Sequence, residues 1–198
     1  TGNVNNPSYN PSWNTGIEGT SWFFDGINDY ASVVSPPSVS SYTLSAWIKP
    51  YLPQSQNGAI HNPIITTNIN SLAYNYGITL PGTVSGLDPN NIYAGTGQLS
   101  ILQGLVNGQK NEFALPANSC SWNTPCTLVS VNNGWTHVAV SFDSSNKLFT
   151  LYLNGKSVVA NTMTTVPNPS STGFFIGFTG TCNVGTSYCH YHGLIDES

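Results

Sequence analysis

The chain has 198 residues, 39% hydrophobic and 12% aromatic, which suits one folded domain with a substantial core and argues against disorder. Only 6% of residues are charged, where ordinary globular domains carry about 25%, and all four basic residues are Lys, leaving a formal net charge of −4. Nucleic acid and anionic membranes both demand clustered Lys and Arg, so neither is an expected partner.

Asn, Ser, Thr and Gly stand where charges would normally be. Such a surface is hydrated at any pH, whereas carboxylates are neutralised below pH ~4. The composition fits an exterior setting that is hot or acidic, and equally an ordinary secreted β-protein. No run approaches the ~18 apolar residues of a membrane span. No signal-like segment opens the chain, so a signal or anchor is expected to have been removed. Every Asn-x-Ser/Thr near-match (Asn6, Asn10, Asn168) has Pro at the middle position, so N-glycosylation is not expected.

Residues 1–16, TGNVNNPSYNPSWNTG, contain the near-tandem NPSY and NPSW and no apolar period. They read as an Asn/Pro/Ser-rich linker or arm, pinned to the body by Tyr9 and Trp13. The domain proper runs over 17–198. Its opening, WFFDGINDYASV (22–33), spends two of eight acids, Asp25 and Asp29, around an Asp-Gly turn. A calcium site, half of a catalytic pair and plain turn chemistry all stay open here.

Short β-rich runs follow, separated by Gly, Pro and Asn turns. They are YTLSAWI (42–48), NPIITTN (62–68), AYNYGITL (73–80), GQLSILQG (97–104), WTHVAVSF (135–142), KLFTLYLNG (147–155), GFFIGFTG (173–180) and CHYHGLID (189–196). Several alternate with period two, and none shows a capped helical period. Asn154-Gly155 predicts a tight hairpin, because both residues accept positive φ. Many strands at this spacing predict an antiparallel sandwich or jelly roll. The cysteines form two close pairs, Cys120/Cys126 and Cys182/Cys189, and local pairing is the simplest of three connectivities. A zinc site would want C-x₂₋₄-C spacings that neither pair has. Two disulfides and an oxidising exterior are therefore expected.

The order FDGINDYASV, YTLSAWIKP, GWTHVAVSFD, KLFTLYLNGKSV, FFIGF and HGLIDE resembles a laminin-G-like domain of the concanavalin A-like lectin/glucanase superfamily, over about residues 20–197. The resemblance implies an all-β, two-sheet antiparallel jelly roll with the first and last motifs on neighbouring strands. It also implies a structural Ca²⁺ joining the N-terminal motif to the C-terminal Asp, with Asp25, the Gly26 carbonyl and Asp196 as ligands and Asp29 as a weaker candidate. Ca²⁺ takes six to eight hard oxygens, which carboxylates and turn carbonyls supply. The alternative is that Asp25 bonds its own turn. Two features depart from the family pattern. The stretch 51–133 is longer than usual, and the final strand stops soon after HGLIDE, as if this were a piece of something longer.

Catalysis is not expected. Glycosidases on this fold need facing carboxylates about 5–10 Å apart, and the glucanase string E-x-D-x-x-E is absent. Asp196 and Glu197 are adjacent and face opposite sides of a strand, while Asp88 and Glu112 are isolated. No nucleophile elbow, H-E-x-x-H or phosphate loop occurs. His137 is expected in the core. His190 and His192 share a strand face, which could hold a metal but lacks a third ligand; His61 is uninformative.

Trp22, Phe23, Phe24, Trp47, Trp135, Phe149, Tyr152, Phe174 and Phe175 fall in strand motifs and are expected mainly in the core. Tyr93, Trp122 and Tyr188 lie in polar or Cys-bounded loops, where an exposed ring could stack on a sugar. The expectation is a non-catalytic extracellular recognition or adhesion module. It would bind glycans or surface glycoproteins and be carried on a surface anchor, stalk or pilus-like protein. The alternatives are a filament or envelope subunit that self-associates by strand addition through the arm at 1–16 or the incomplete last strand, and a glycan-active enzyme.

Overall fold

A computed structural model describes residues 10–33, 39–51, 58–60, 63–67, 77–79, 82–84, 100–104, 110–114, 134–162, 174–178 and 190–197. Every regular element among them is a β-strand. In chain order these are β1 (Ser12–Thr15), β2 (Thr20–Asp25), β3 (Ala31–Val33), β4 (Tyr42–Pro50), β5 (Gly58–Ile60), β6 (Pro63–Thr67), β7 (Gly77–Thr79) and β8 (Gly82–Val84). They continue as β9 (Ser100–Gly104), β10 (Lys110–Ala114), β11 (Thr136–Asp143), β12 (Leu148–Leu153), β13 (Lys156–Thr162), β14 (Phe174–Ile176) and β15 (His192–Asp196).

A seven-stranded sheet has the order β1-β2-β15-β4-β11-β12-β13, and a six-stranded sheet the order β10-β9-β7-β6-β14-β3. Two short strands, β5 and β8, pair separately. All pairings are antiparallel. The opening and closing motifs are neighbours, as the resemblance implied: β15 lies between β2 and β4.

One apolar cluster draws on both sheets. Phe24, Ala46, Ile48, Val138, Val140, Phe142, Phe149, Leu151, Leu153 and Ile195 come from the seven-stranded sheet, and Ala31, Ile64, Ile65, Ile78 and Ile176 from the other. Period-two alternation explains the selection, since successive side chains point to opposite faces and only one face meets the partner sheet. The Asn154-Gly155 hairpin joins β12 to β13 with φ of 48° and 76°, the positive pair that a tight turn between twisted strands requires.

The segment that reads as an arm contains a strand. Ser12–Thr15 pairs residue for residue with Phe23–Thr20 and forms one edge of the larger sheet. Its residues are all exposed, so no apolar alternation marks it in the sequence. What holds it is backbone hydrogen bonding and the Trp13 ring, which meets Trp22 at 6.0 Å.

Candidate functional site

The face of the larger sheet turned away from the core is unusually aromatic. Val138 and Ala46 point inward, so their neighbours His137 and Trp47, which are paired in register, point outward. The two rings meet edge to face at 5.1 Å. Phe24 and Ile195 point inward, so Phe23 and Leu194 share the outer face with Lys49. At the end of the same face, Phe23, Tyr51 and His192 form a triangle with centroids 5.7 to 6.1 Å apart. The Tyr51 N–H donates to the His192 carbonyl at 2.9 Å, which extends the pairing of β4 past its last residue. Ala139, Ser45 and Tyr152 continue the face beyond Trp47.

These rings are half-buried: their edges pack on one another while part of each stays open. Leu194, only 3% exposed, floors the patch between Phe23 and Lys49. Aromatic residues with a polar handle on an outer sheet face offer flat apolar area beside hydrogen-bonding groups. The core positions expected for His137, Phe23, Trp47 and Tyr152 are therefore corrected. Each sits at the alternate phase to a fully buried neighbour.

The Asp25 turn is self-contained. Asp25 Oδ1 accepts the N–H groups of Ile27 and Asn28 at 2.7 and 3.3 Å, while Asp29 Oδ2 accepts the Asp25 N–H at 3.0 Å. Gly26 takes φ 79°, and a Cβ there would lie 2.8 Å from His192 Cβ. Asp29 is only 7% exposed, and burial pushes its carboxyl up to about 6 against the lowering effect of its backbone hydrogen bond. His190 Nδ1 donates to the Asp29 carbonyl at 3.2 Å, which fixes the proton on Nδ1. Its ring stacks on Phe178 at 4.6 Å, and burial holds its pKa below the usual imidazole value. His190 and His192 thus have different neighbours, Phe178 and the Phe23–Tyr51 pair.

Of the residues expected to hold calcium, the fold brings Asp25, Gly26 and Asp29 together but not Asp196. Asp25 pairs with His192 in the antiparallel β2/β15 ladder, and Asp196 is four residues further along β15. The two carboxylates are therefore separated by about 13 Å along the strands. Asp196 accepts backbone N–H groups on both oxygens, Ile17 on Oδ2 at 2.9 Å and Glu197 on Oδ1 at 3.0 Å. Among the described residues, no three His, Cys, Asp or Glu side chains converge as a metal-binding group. Near the Asp25 turn, however, the Asn28 Oδ1 is buried and meets no donor among the described residues. An acceptor left over beside two carboxylates is the donor chemistry that a hard cation fits.

Tyr93, Trp122 and Tyr188, the loop aromatics expected to bind ligand, lie outside the described residues, as do Cys120, Cys126, Cys182 and Cys189. The close carboxylates Asp25 and Asp29 both bond turn backbone, and Asp29 is nearly buried.

Comparison with known proteins adds context to this geometry. A family model described as the concanavalin A-like lectin/glucanases superfamily matches residues 25–198. Among solved structures, domain 4 of AbnA, an extracellular arabinanase from Geobacillus stearothermophilus solved with arabinotriose, superposes with a TM-score of 0.57. It is 19% identical, with 94% of this chain and 72% of that one covered. The binding domain of paraclostridial mosquitocidal protein 1 gives a TM-score of 0.57 at 14% identity, over 93% of this chain and 42% of that one. The CBM40 of the Ruminococcus gnavus IT-sialidase, bound to α2,3 sialyllactose, gives 0.50 at 15% identity, over 80% and 73%. At these identities the likeness is one of fold. No curated protein sequence matches the chain.

Proposed function

The chain belongs to the concanavalin A-like lectin/glucanase superfamily, and on that premise we propose that it is a non-catalytic glycan-binding module of an extracellular protein. The observation that carries the reading is the outer aromatic face, with Trp47 against His137 and Phe23, Tyr51 and His192 grouped beside Lys49. A sugar ring has an apolar C–H face and a polar edge. Half-open aromatic rings take the first, and the Tyr hydroxyl, imidazoles and ammonium bond the second. Structures of the same fold solved with arabinotriose and sialyllactose support the ligand class. A surface poor in charge suits neutral, heavily hydrated ligands at any pH. Display outside the cell is part of the reading.

A structural calcium ion at the Asp25 turn belongs to the same proposal. Asp25, Asp29, the Asn28 Oδ1 and the Gly26 carbonyl would hold it, and the ion would supply charge compensation for carboxylates confined in one turn. Asp196 is not in this set.

Screening the chain against an array of neutral and sialylated glycans, at neutral and acidic pH, tests the function. Binding to at least one class, lost in Trp47→Ala, is expected. An array with no binder above background at either pH overturns the proposal.

A further inference from the structure

We propose that a second, smaller sugar site lies at the β1–β2 end of the larger sheet, where Trp13 and Glu197 line one groove, and that it takes a single neutral sugar unit. The inference rests on the glycan-binding reading above and adds a subsite distinct from the aromatic face. A groove of about 210 Å³ opens here, lined by Trp13, Trp22, Thr20, Ile195, Asp196 and Glu197. Sites for drug-sized ligands run from roughly 300 to 1,000 Å³, so this one accommodates one ring rather than a chain.

Its platform is a tryptophan that the fold both exposes and braces. Trp13 is 70% exposed, an unusual state for the largest side chain on a short edge strand, where polar or charged residues normally discourage pairing. The indole leans on Trp22 at 6.0 Å with a 54° tilt, and Trp22 meets the fully buried Phe24 edge to face at 6.4 Å. The ring is therefore backed by the core. The strand that carries it is anchored at its far end, because the next turn is bonded through the Ile17 N–H to Asp196. A rigid aromatic loses little entropy when a ligand stacks on it.

The polar side of the groove is acidic. Asp196 is occupied by backbone donors, which leaves Glu197 as the acceptor for sugar hydroxyls. Glu197 is exposed and takes φ 48°, a sparsely populated conformation for a side chain with a Cβ. It is held there by its own N–H donating to Asp196 Oδ1 at 3.0 Å. Strain of this kind is kept where the surroundings fix it, and the residue so held lines the groove. A carboxylate accepting two hydroxyls gives short charge-assisted bonds. Two carboxylates at the rim also repel an acidic sugar, which sets the preference for a neutral one.

The test is titration of the full chain with the methyl glycosides of galactose, glucose, mannose and arabinose, and with 3′-sialyllactose, followed through the tryptophan indole N–H signals in NMR. The expected result is that at least one neutral glycoside shifts the Trp13 signal. Its affinity should fall at least tenfold in both Trp13→Phe and Glu197→Gln, which preserve an aromatic ring and the side-chain length at the groove. Sialyllactose should leave the Trp13 signal unmoved. If neutral sugars bind but Trp13→Phe and Glu197→Gln bind them like wild type, the subsite is overturned while the glycan-binding reading stands. If sialyllactose moves Trp13 as strongly as a neutral sugar, the proposed selectivity is overturned. If no sugar and no arrayed glycan binds, both readings fall together.

Discussion

Asp196 and Ile17, 179 positions apart in sequence, are joined by a 2.9 Å hydrogen bond from the Ile17 N–H to Asp196 Oδ2. The last residue of the last described strand thereby fixes the turn between the first two. The resemblance implied that an ion would tie the ends of the domain, with Asp196 as one of its ligands. The carboxylate makes that tie directly, to backbone.

Removing it should be costly. Asp196 is nearly buried and serves two backbone donors, and a hydrogen bond to a charged group is worth about 1.5–3 kcal/mol. Asp196→Ala should lower unfolding free energy by about 2–3 kcal/mol, while Asp196→Asn, which keeps one acceptor oxygen, should lose roughly half of that. Urea unfolding checks this: the midpoint should fall with the slope unchanged. A midpoint within error of wild type for Asp196→Ala would discard the anchoring role.

The turn accepts Asp196 because residue 16 has no side chain. A Cβ on Gly16 would lie 2.3 Å from Asp196 Oδ2, far inside contact distance. Gly16→Ala should therefore cost about 1–2 kcal/mol, and because it acts by breaking the same contact, its effect should be sub-additive with Asp196→Ala. A double-mutant cycle with fully additive losses would show that the two act independently.

Burial raises the Asp29 carboxyl to about 6, whereas the unfolded chain releases this proton near pH ~4. The folded state therefore binds more protons than the unfolded state between those values. The stability linked to the extra proton is complete below pH ~4 and is lost as pH rises through ~6. In chelator, the unfolding midpoint of wild type relative to Asp29→Asn should decline over that window and level off above it. Asn retains an oxygen for the Asp25 N–H, so the comparison isolates the charge. A constant difference across the window contradicts the assignment.

Calcium should raise the melting temperature near neutral pH, by an amount that grows with its concentration as mass action requires. The response should vanish in Asp29→Asn and weaken in Asn28→Ala, yet persist in Asp196→Asn, because that carboxylate sits at the far end of the ladder. A melting temperature indifferent to calcium and to chelator removes the ion from the account.

Much of the architecture was legible in the residues. Period-two runs predicted a strand-rich sandwich, the Asn154-Gly155 pair predicted a hairpin, and the family resemblance implied that WFFD lies beside HGLID. The candidate site was less legible. Trp13 sits in a segment without apolar period, because an exposed edge strand buries nothing and leaves no pattern. The NPSW near-repeat was the one available hint, and it pointed to pinning rather than to a platform.

By itself, the sequence determined which residues alternate, because side-chain phase along a strand is a local property, while the neighbourhood of the first and last motifs was what the family resemblance implied. The tertiary structure alone decided which phase faces the partner sheet. That choice turned Phe23, Trp47, His137 and Tyr152 outward and left Phe24, Ile48 and Val138 within. It also decided polarity. Antiparallel pairing sets the C-terminal acid of β2 against the start of β15, so Asp25 and Asp196 end at opposite ends of one ladder. Alternation is written along the chain, but direction and inside-or-outside exist only once two sheets have met.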